Sequence, residues 1–442
     1  MHFKFIILLI ISFLFNQSLF NRGLGNQQLF GDARSYGMGL THSVNTYNSS
    51  LIRFNPSLIG LATKNHRITF DFQSNYSLIN ERRSFITTDF FDGFLTYGDY
   101  ISNDQINNNF QLGMMGNLKN KISFGLALLP LASFDYNYIE EVRRGQSVTG
   151  GDIGYKDPLE GYHIFKTEGQ LNTLSLGLSF NMHNFYIGIG YHKILDSNIT
   201  DDIHIDTLTT DIQNLASIQD YYSEKSFKNL GDYYSLGASF KTNELLLSFV
   251  LEPDLLIKED FCTCSPISSM SNTIFINGVI SYFDDENTTF NPIGIYHYKP
   301  QKFILGLSYN PISNRSLIVS TEFESNRSHN ADNIGVSASS ILKDYNIYKL
   351  GFEYILPSNI PIRAGLIHHT SGISLIPNKS ILTFGTGSNF KNILYDIGVS
   401  YTLFDYYYSD LFPVESTITH PTNPDKITES NLNFIFTFRY LF

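Results

Sequence analysis

The chain has 442 residues, of which 15% are aromatic, none is Trp and only 16% are charged, against roughly 25% charged in ordinary soluble domains. Its net charge of −11 excludes a nucleic-acid footprint, which needs a basic surface. Mean hydropathy is −0.09, so apolar residues alternate with polar ones instead of gathering in long runs. That average fits a sheet whose strands meet lipid and an enclosed lumen by turns.

The chain opens on MHFKFIILLIISFLF. The apolar run Phe5 to Phe15 is shorter than the about 20 residues a spanning helix needs. It predicts a secretory signal peptide over residues 1–18, with Ser18 as candidate last residue. No Cys follows to carry a lipid anchor, and no later run predicts a transmembrane helix. From Leu19 to Ala62 the chain does not alternate and is rich in Gly, Asn and Ser. Gly37-Met38-Gly39 is no nucleotide loop, because no apolar strand precedes it and no helix with a third glycine follows. Its glycines predict tight turns or close packing, and Asn55-Pro56 is a turn signal.

Strands begin after residue 62. In His66 to Asn80, Ile68, Phe70, Phe72, Tyr76 and Leu78 alternate with Thr69, Asp71, Gln73, Asn75 and Ser77. Residues two apart share a face, so one face is apolar and the other polar. The rhythm recurs: Leu174, Leu176 and Leu178 oppose Ser175 and Gly177; Ile187 and Ile189 oppose Gly188 and Gly190; Leu350, Phe352 and Tyr354 oppose Lys349, Gly351 and Glu353. Tight turns are expected near 117–121, 181–184, 241–244, 310–315, 356–361 and 388–391. Long polar loops are expected near 80–107, 138–168, 196–230, 254–292, 325–344 and 405–430. Short and long connections in alternation predict an all-β, antiparallel up-and-down transmembrane barrel of about 14 strands. Thr273 to Phe283 as a further strand would make it about 16. The chain ends on NLNFIFTFRYLF, with Phe434, Phe436, Phe438, Tyr440 and Phe442 on one face, which fits a closing strand facing lipid.

No catalytic constellation is present. His368 and His369 are adjacent and point to opposite faces of a strand, so they cannot share a metal. Asp201, Asp202, His204 and Asp206 match no established cation loop. Cys262 and Cys264 form neither an unstrained disulfide nor a zinc site. No enzyme, cofactor or metal is expected. Glu353 and Arg363 lie opposite across a turn and are expected to pair. Asp71 and Arg439 are expected to meet where the barrel closes, since lumen charges need partners.

Two patterns carry a resemblance. Arg34, Gly37, Met38 and Gly39, followed by Asn55, Pro56 and Leu58, look like the N-terminal hatch of the FadL-type outer-membrane transporter superfamily, and Lys349 to Tyr354 with Arg363 to Gly365 look like its late strands. Ser57 stands where that hatch usually has Ala, and Thr41 to Tyr47 replace its Ala-rich centre. The resemblance implies a signal peptide (1–18), a hatch inside the lumen (19–62) and a barrel (63–442) in the bacterial outer membrane. It implies passive uptake of hydrophobic small molecules such as long-chain fatty acids or hydrocarbons, gated by the hatch. A PorV-type barrel that docks or shuttles secreted proteins is the alternative within the same superfamily. The C-terminal strand is similar to the signal read by the barrel assembly machinery, which places that role on Phe438, Tyr440 and Phe442. The expected partners are therefore outer-membrane lipid, a hydrophobic cargo and that machinery.

Overall fold

The computed structural model describes residues 26–27, 31–88, 91, 93–118, 121–143, 159–210, 212, 215, 221–228, 230–258, 261–264, 296–327, 343–372, 376–408 and 425–442. The expected signal peptide, Thr273 to Phe283 and the acidic run Asp284 to Glu286 lie outside these residues.

Fourteen strands form a closed antiparallel ring. They are β1 (Ile68–Thr88), β2 (Phe94–Leu118), β3 (Ile122–Ser133), β4 (Gln170–Met182), β5 (Phe185–Ile194), β6 (Asp232–Lys241) and β7 (Leu245–Glu252). The second half is β8 (Gln301–Tyr309), β9 (Leu317–Arg327), β10 (Tyr345–Ile355), β11 (Pro361–His369), β12 (Lys379–Phe390), β13 (Ile393–Tyr408) and β14 (Asp425–Leu441). The ring closes where β1 pairs β14 from Thr69–Leu441 up to Ser84–Lys426. The count of 16 is thereby excluded.

The alternation has its expected sense. Phe70, Phe72, Leu176, Leu178, Ile187, Phe352 and Phe436 are exposed on the outer face, while Asp71, Gln73, Ser175, Glu353 and Thr437 are buried inside. Closure pairs most wall backbone groups with a neighbouring strand, which is what allows a sheet to stand in hydrocarbon.

The short connections are where expected, within two residues. The last, placed at 388–391, is in fact Lys391-Asn392, because β12 runs on through Phe390. His183, Asn359 and Lys391 take left-handed backbone in these turns. The long polar segments differ more. Instead of loops at 80–107, β1 and β2 continue as paired strand to Thr88 and Phe94. Tyr136–Arg143, Leu159–Glu168, Ser197–Thr207, Tyr221–Phe227 and Phe261–Cys264 form a second sheet of five strands, the first four adjoining the ends of β3, β4, β5 and β6 in the chain. Above the apolar belt both strand faces meet polar surroundings, so the apolar rhythm that marks a strand in sequence is lost although pairing continues. Asp202, His204 and Asp206 share one face of such a strand, and among the described residues no group of three or more metal-binding side chains forms.

Residues 31 to 63 fill the lumen with short helices: α1 (Ala33–Gly37), α2 (His42–Asn45), α3 (Leu51–Phe54) and α4 (Ile59–Ala62), with a 3-10 turn over Pro56–Leu58. This hatch lies against the glycines of the inner wall. A Cβ added at Gly190 would strike the Ile52 carbonyl, one at Gly188 the Pro56–Ser57 peptide, and one at Gly351 the Met38 carbonyl. The glycine face seen in the sequence is thus the floor on which hatch backbone rests. Gly351→Val is expected to leave the ring closed but unseat the hatch. Trypsin, which should spare Arg34 and Arg53 in the parent, should then cut at both; continued protection would refute close backbone packing as the seat.

Candidate functional site

The hatch is held by complementary polar groups. Asp32 caps α1, accepting from the Ser35 amide at 2.8 Å and the Tyr47 amide at 2.7 Å. From the first turn of α1, Arg34 reaches Glu353 on β10 with two parallel bonds of 2.9 and 2.7 Å. Glu353 also accepts from Arg363 at 2.6 Å, and Arg363 completes the row by donating to Asp396 at 2.6 Å. Burial works against the Arg34 charge, but the Glu353 carboxylate outweighs it and Arg34 holds its proton more firmly than usual. A bidentate guanidinium–carboxylate pair is among the strongest side-chain contacts.

The next segment is tied in the same way. Glu322 on β9 accepts from the Ser43 amide at 2.8 Å and its hydroxyl at 2.6 Å. Lys349 bridges Glu322 and Glu324, each at 2.7 Å. Asp71 on β1 takes the Ser49 amide and hydroxyl at 3.0 and 2.6 Å. Tyr36 shares a 2.6 Å bond with Ser400. Three wall carboxylates therefore receive hatch donors, and the contacts of Asn55 through Leu58 are neutral. Asn55 accepts from the Ser57 amide at 3.2 Å and donates to the Ser43 carbonyl at 2.7 Å, Pro56 sits over Gly188, and Leu58 joins Ile52, Ile59, Met115 and Leu129 in an apolar cluster. Gly39 takes left-handed backbone between Leu350 and Gly365, a place where a side chain would be both strained and blocked.

One seam of the wall is incomplete. β2 pairs β1 along its whole length, but pairs β3 only from Leu118–Ile122 up to Leu112–Leu128. Two residues above that last pair stands Pro130, which has no N–H to donate. Its carbonyl accepts from Arg53 of the hatch at 3.2 Å, and Asn26–Gln27 pair with Ala132 and Ser133 higher on the same strand. Among the described residues, side-chain donors reach across the seam: Gln170 donates to Asn109 and Gln105 to the Asn137 carbonyl, both at 2.8 Å. On the outer face below the seam lies an apolar groove of about 460 Å³ lined by Phe72, Leu112, Leu126, Leu128 and Leu174. At the end carrying the short turns, a polar cavity of about 490 Å³ opens between the hatch and the wall, lined by Tyr47, Lys64, His183, Tyr186 and Lys241.

Solved structures share this architecture. A Pseudomonas aeruginosa FadL homologue superposes with a TM-score of 0.62 at 11% identity, covering 95% of this chain and 100% of that one. The Pseudomonas putida toluene transporter TodX matches at 0.53 and 12%, over 94% and 99%. The Ralstonia pickettii toluene transporter TbuX matches at 0.50 and 13%, over 93% and 98%. The chain has the FadL-type fold. No protein-family model matches its sequence, and no curated protein does.

Within this FadL-type fold, Glu353 and Arg363 are register partners joined by an ion pair. Asp71 and Arg439 are also register partners, but their hydrogen bonds go to the hatch, to Ser49 and to the Tyr47 carbonyl respectively. The hatch competes for them because buried backbone donors and acceptors such as the Ser49 amide need partners. Phe438 and Tyr440 are half-buried; Phe442 is exposed and packs edge-on to Tyr440 and Phe70. Sequence reasoning missed Arg34 as a partner of Glu353, and it missed Glu322, Glu324, Lys302 and Arg53 altogether. The signal for Glu322 and Glu324 was their spacing of two residues on a strand otherwise read by its apolar positions.

Two predictions follow from these contacts. Arg34→Ala should lower the stability of the seated hatch by about 3 kcal/mol, because it strips a buried carboxylate of one partner. Melting of hatch protection measures this, and Glu353→Gln should add little in the Arg34→Ala background. His42 is buried against Phe54 at 4.5 Å, facing Lys349, Lys302, Glu324 and Arg53. Burial first, then Lys349, holds its imidazole well below the ordinary pKa of 6.5. The folded form is therefore neutral, and stability present above pH 6.5 is lost as pH falls, at up to about 1.4 kcal/mol per unit. His42→Phe should flatten that slope between pH 7 and 5; an unchanged slope would exclude His42 as its source.

Proposed function

We propose that this protein is an outer-membrane channel for passive uptake of hydrophobic small molecules, with the hatch as its stopper and the seam between β2 and β3 as its side exit. The observation that carries the reading is the incomplete seam. A strand edge in hydrocarbon is costly unless its polar groups are satisfied, and here Arg53 and the chain at 26–27 satisfy part of that edge in place of a strand. Support also comes from the toluene transporters that share the fold. Burial of apolar surface, about 25 cal/mol per Å², would draw cargo toward the groove and the bilayer.

The test is uptake of labelled toluene and of a labelled long-chain fatty acid by cells whose outer leaflet is lipopolysaccharide, with and without the barrel. Asn109→Cys with Gln170→Cys places two thiols for a short bis-methanethiosulfonate cross-link at the seam, since the native side chains bridge the gap tip to tip at 2.8 Å and a direct disulfide would need a closer approach. Uptake should stop on cross-linking and return on reduction. Uptake that ignores the cross-link would remove the side exit, and no uptake of either compound would remove the channel.

A further inference from the structure

The inner wall beside and above the hatch bears on the chemistry of the cargo. The inward positions of β1 from Gln73 to Ile79, with their register partners on β2 and β14, include no Asp, Glu, Lys or Arg. Asp71 and Arg439 bound this panel below, and Glu81, Arg83 and Glu429 bound it above. Four rungs of strand make the neutral stretch roughly 20 Å long. Side-chain amides dominate it, and they lie beside the seam.

Several of these amides are buried without a partner. Both ends of the Asn75 amide lack one, so exchanging its nitrogen and oxygen would not help. The Asn107 nitrogen and the Gln105 oxygen are likewise unsatisfied, and so, one rung above the panel beside Glu81, is the Asn103 nitrogen, with each of the four side chains at most 8% exposed. Other members are used locally: Asn48 of the hatch donates to Gln73 at 3.0 Å, and Asn109 accepts from Gln170. An unmade hydrogen bond in a buried place is costly, and native structures carry few. A pure hydrocarbon on this panel would leave every one of them unmade. A charged head group would find no counter-charge among the four rungs.

We propose that the panel holds the head group of an uncharged amphiphile, one bearing hydroxyl or amide groups, while its apolar part passes through the seam toward the groove at Leu112 and Leu128. The inference rests on the channel reading above and narrows its cargo from hydrophobic compounds in general to neutral molecules with one hydrogen-bonding end. The amides supply both donors and acceptors, as a hydroxyl head requires.

Occupancy tests this separately from passage. The barrel in nanodiscs is irradiated with 1-monooctanoylglycerol carrying a diazirine on its glycerol, the same lipid with the diazirine at the chain end, or octane bearing a diazirine. Mass spectrometry should place the glycerol label on peptides containing Asn75 and Asn103 to Asn107, and the chain-end label near Leu112 and Leu128. In Asn75→Leu/Asn107→Leu the glycerol label should fall at least tenfold while the octane label holds or rises. Heat-modifiable migration reports folding, and Asn107→Ala alone replaces the pair where the double variant fails to assemble. Equal labelling of the panel by octane, glycerol labelling unchanged in the variants, or no labelling there at all would overturn the proposal. Labelling without cellular uptake would remove the channel and keep the head-group site; uptake without glycerol labelling would do the reverse.

Discussion

Everything inside this barrel answers to one requirement: polar groups shut away from water must find one another. The wall supplies carboxylates, hydroxyls and bare glycine backbone, and the hatch supplies the orphan amides and carbonyls of four one-turn helices. A helix of four or five residues makes almost none of its own backbone hydrogen bonds. The Ser43 and Ser49 amides therefore turn to Glu322 and Asp71, the Gly39 amide to Thr383 at 2.9 Å, and the Ile52 carbonyl to Ser235 at 2.8 Å. The helices persist because the wall completes them, and the wall charges persist because the hatch completes them.

That reciprocity is uneven around the ring. Hatch residues 34 to 49 meet β1, β9 and β10 through carboxylates. Residues 52 to 60 meet β4, β5 and β6 through glycines and serines, with Ser57 and Ser239 at 2.7 Å and Ser179 on the Ser57 carbonyl at 2.8 Å. Bonds to charged groups are worth about 1.5–3 kcal/mol net and neutral ones nearer 1. The second half is held instead by apolar burial: Leu51, Ile52, Leu58 and Ile59 pack in one cluster, at about 1.5–3 kcal/mol for each side chain. It also carries Arg53, whose guanidinium holds the free edge of β3.

Much of this was legible in the sequence wherever lipid imposes alternation. Phe70 and Phe72, or Leu176 and Leu178, could only be outer positions once Asp71 and Ser175 lay between them, and strand count followed from the turns. Where lipid ends, the rhythm ends: 80–107 read as loop although Asn80 to Thr88 pair with Phe94 to Asp104, with two register shifts. The hatch was visible through Gly37-Met38-Gly39 and Asn55-Pro56, because left-handed backbone and close approach restrict residue choice. Its partners were not, because an ion pair such as Arg34–Glu353 joins residues 319 positions apart and leaves no local trace. Asp71 and Arg439 show the limit most plainly, since register was predictable and the third party at that height was not.

The seam and the amide panel are connected by more than position. If β2 paired β3 to the rim, Asn109 and Gln105 would not be needed to reach Gln170 and the Asn137 carbonyl. A ladder of backbone bonds is cooperative and resists opening; two side-chain bonds between amides separate at little cost and can be remade to a ligand of the same chemistry. Amides suit this exchange better than carboxylates or lysines, since they offer donor and acceptor together and carry no charge to strand in a dry place. The wall is thus weakest where its inner face is most able to substitute for the bonds that opening would break.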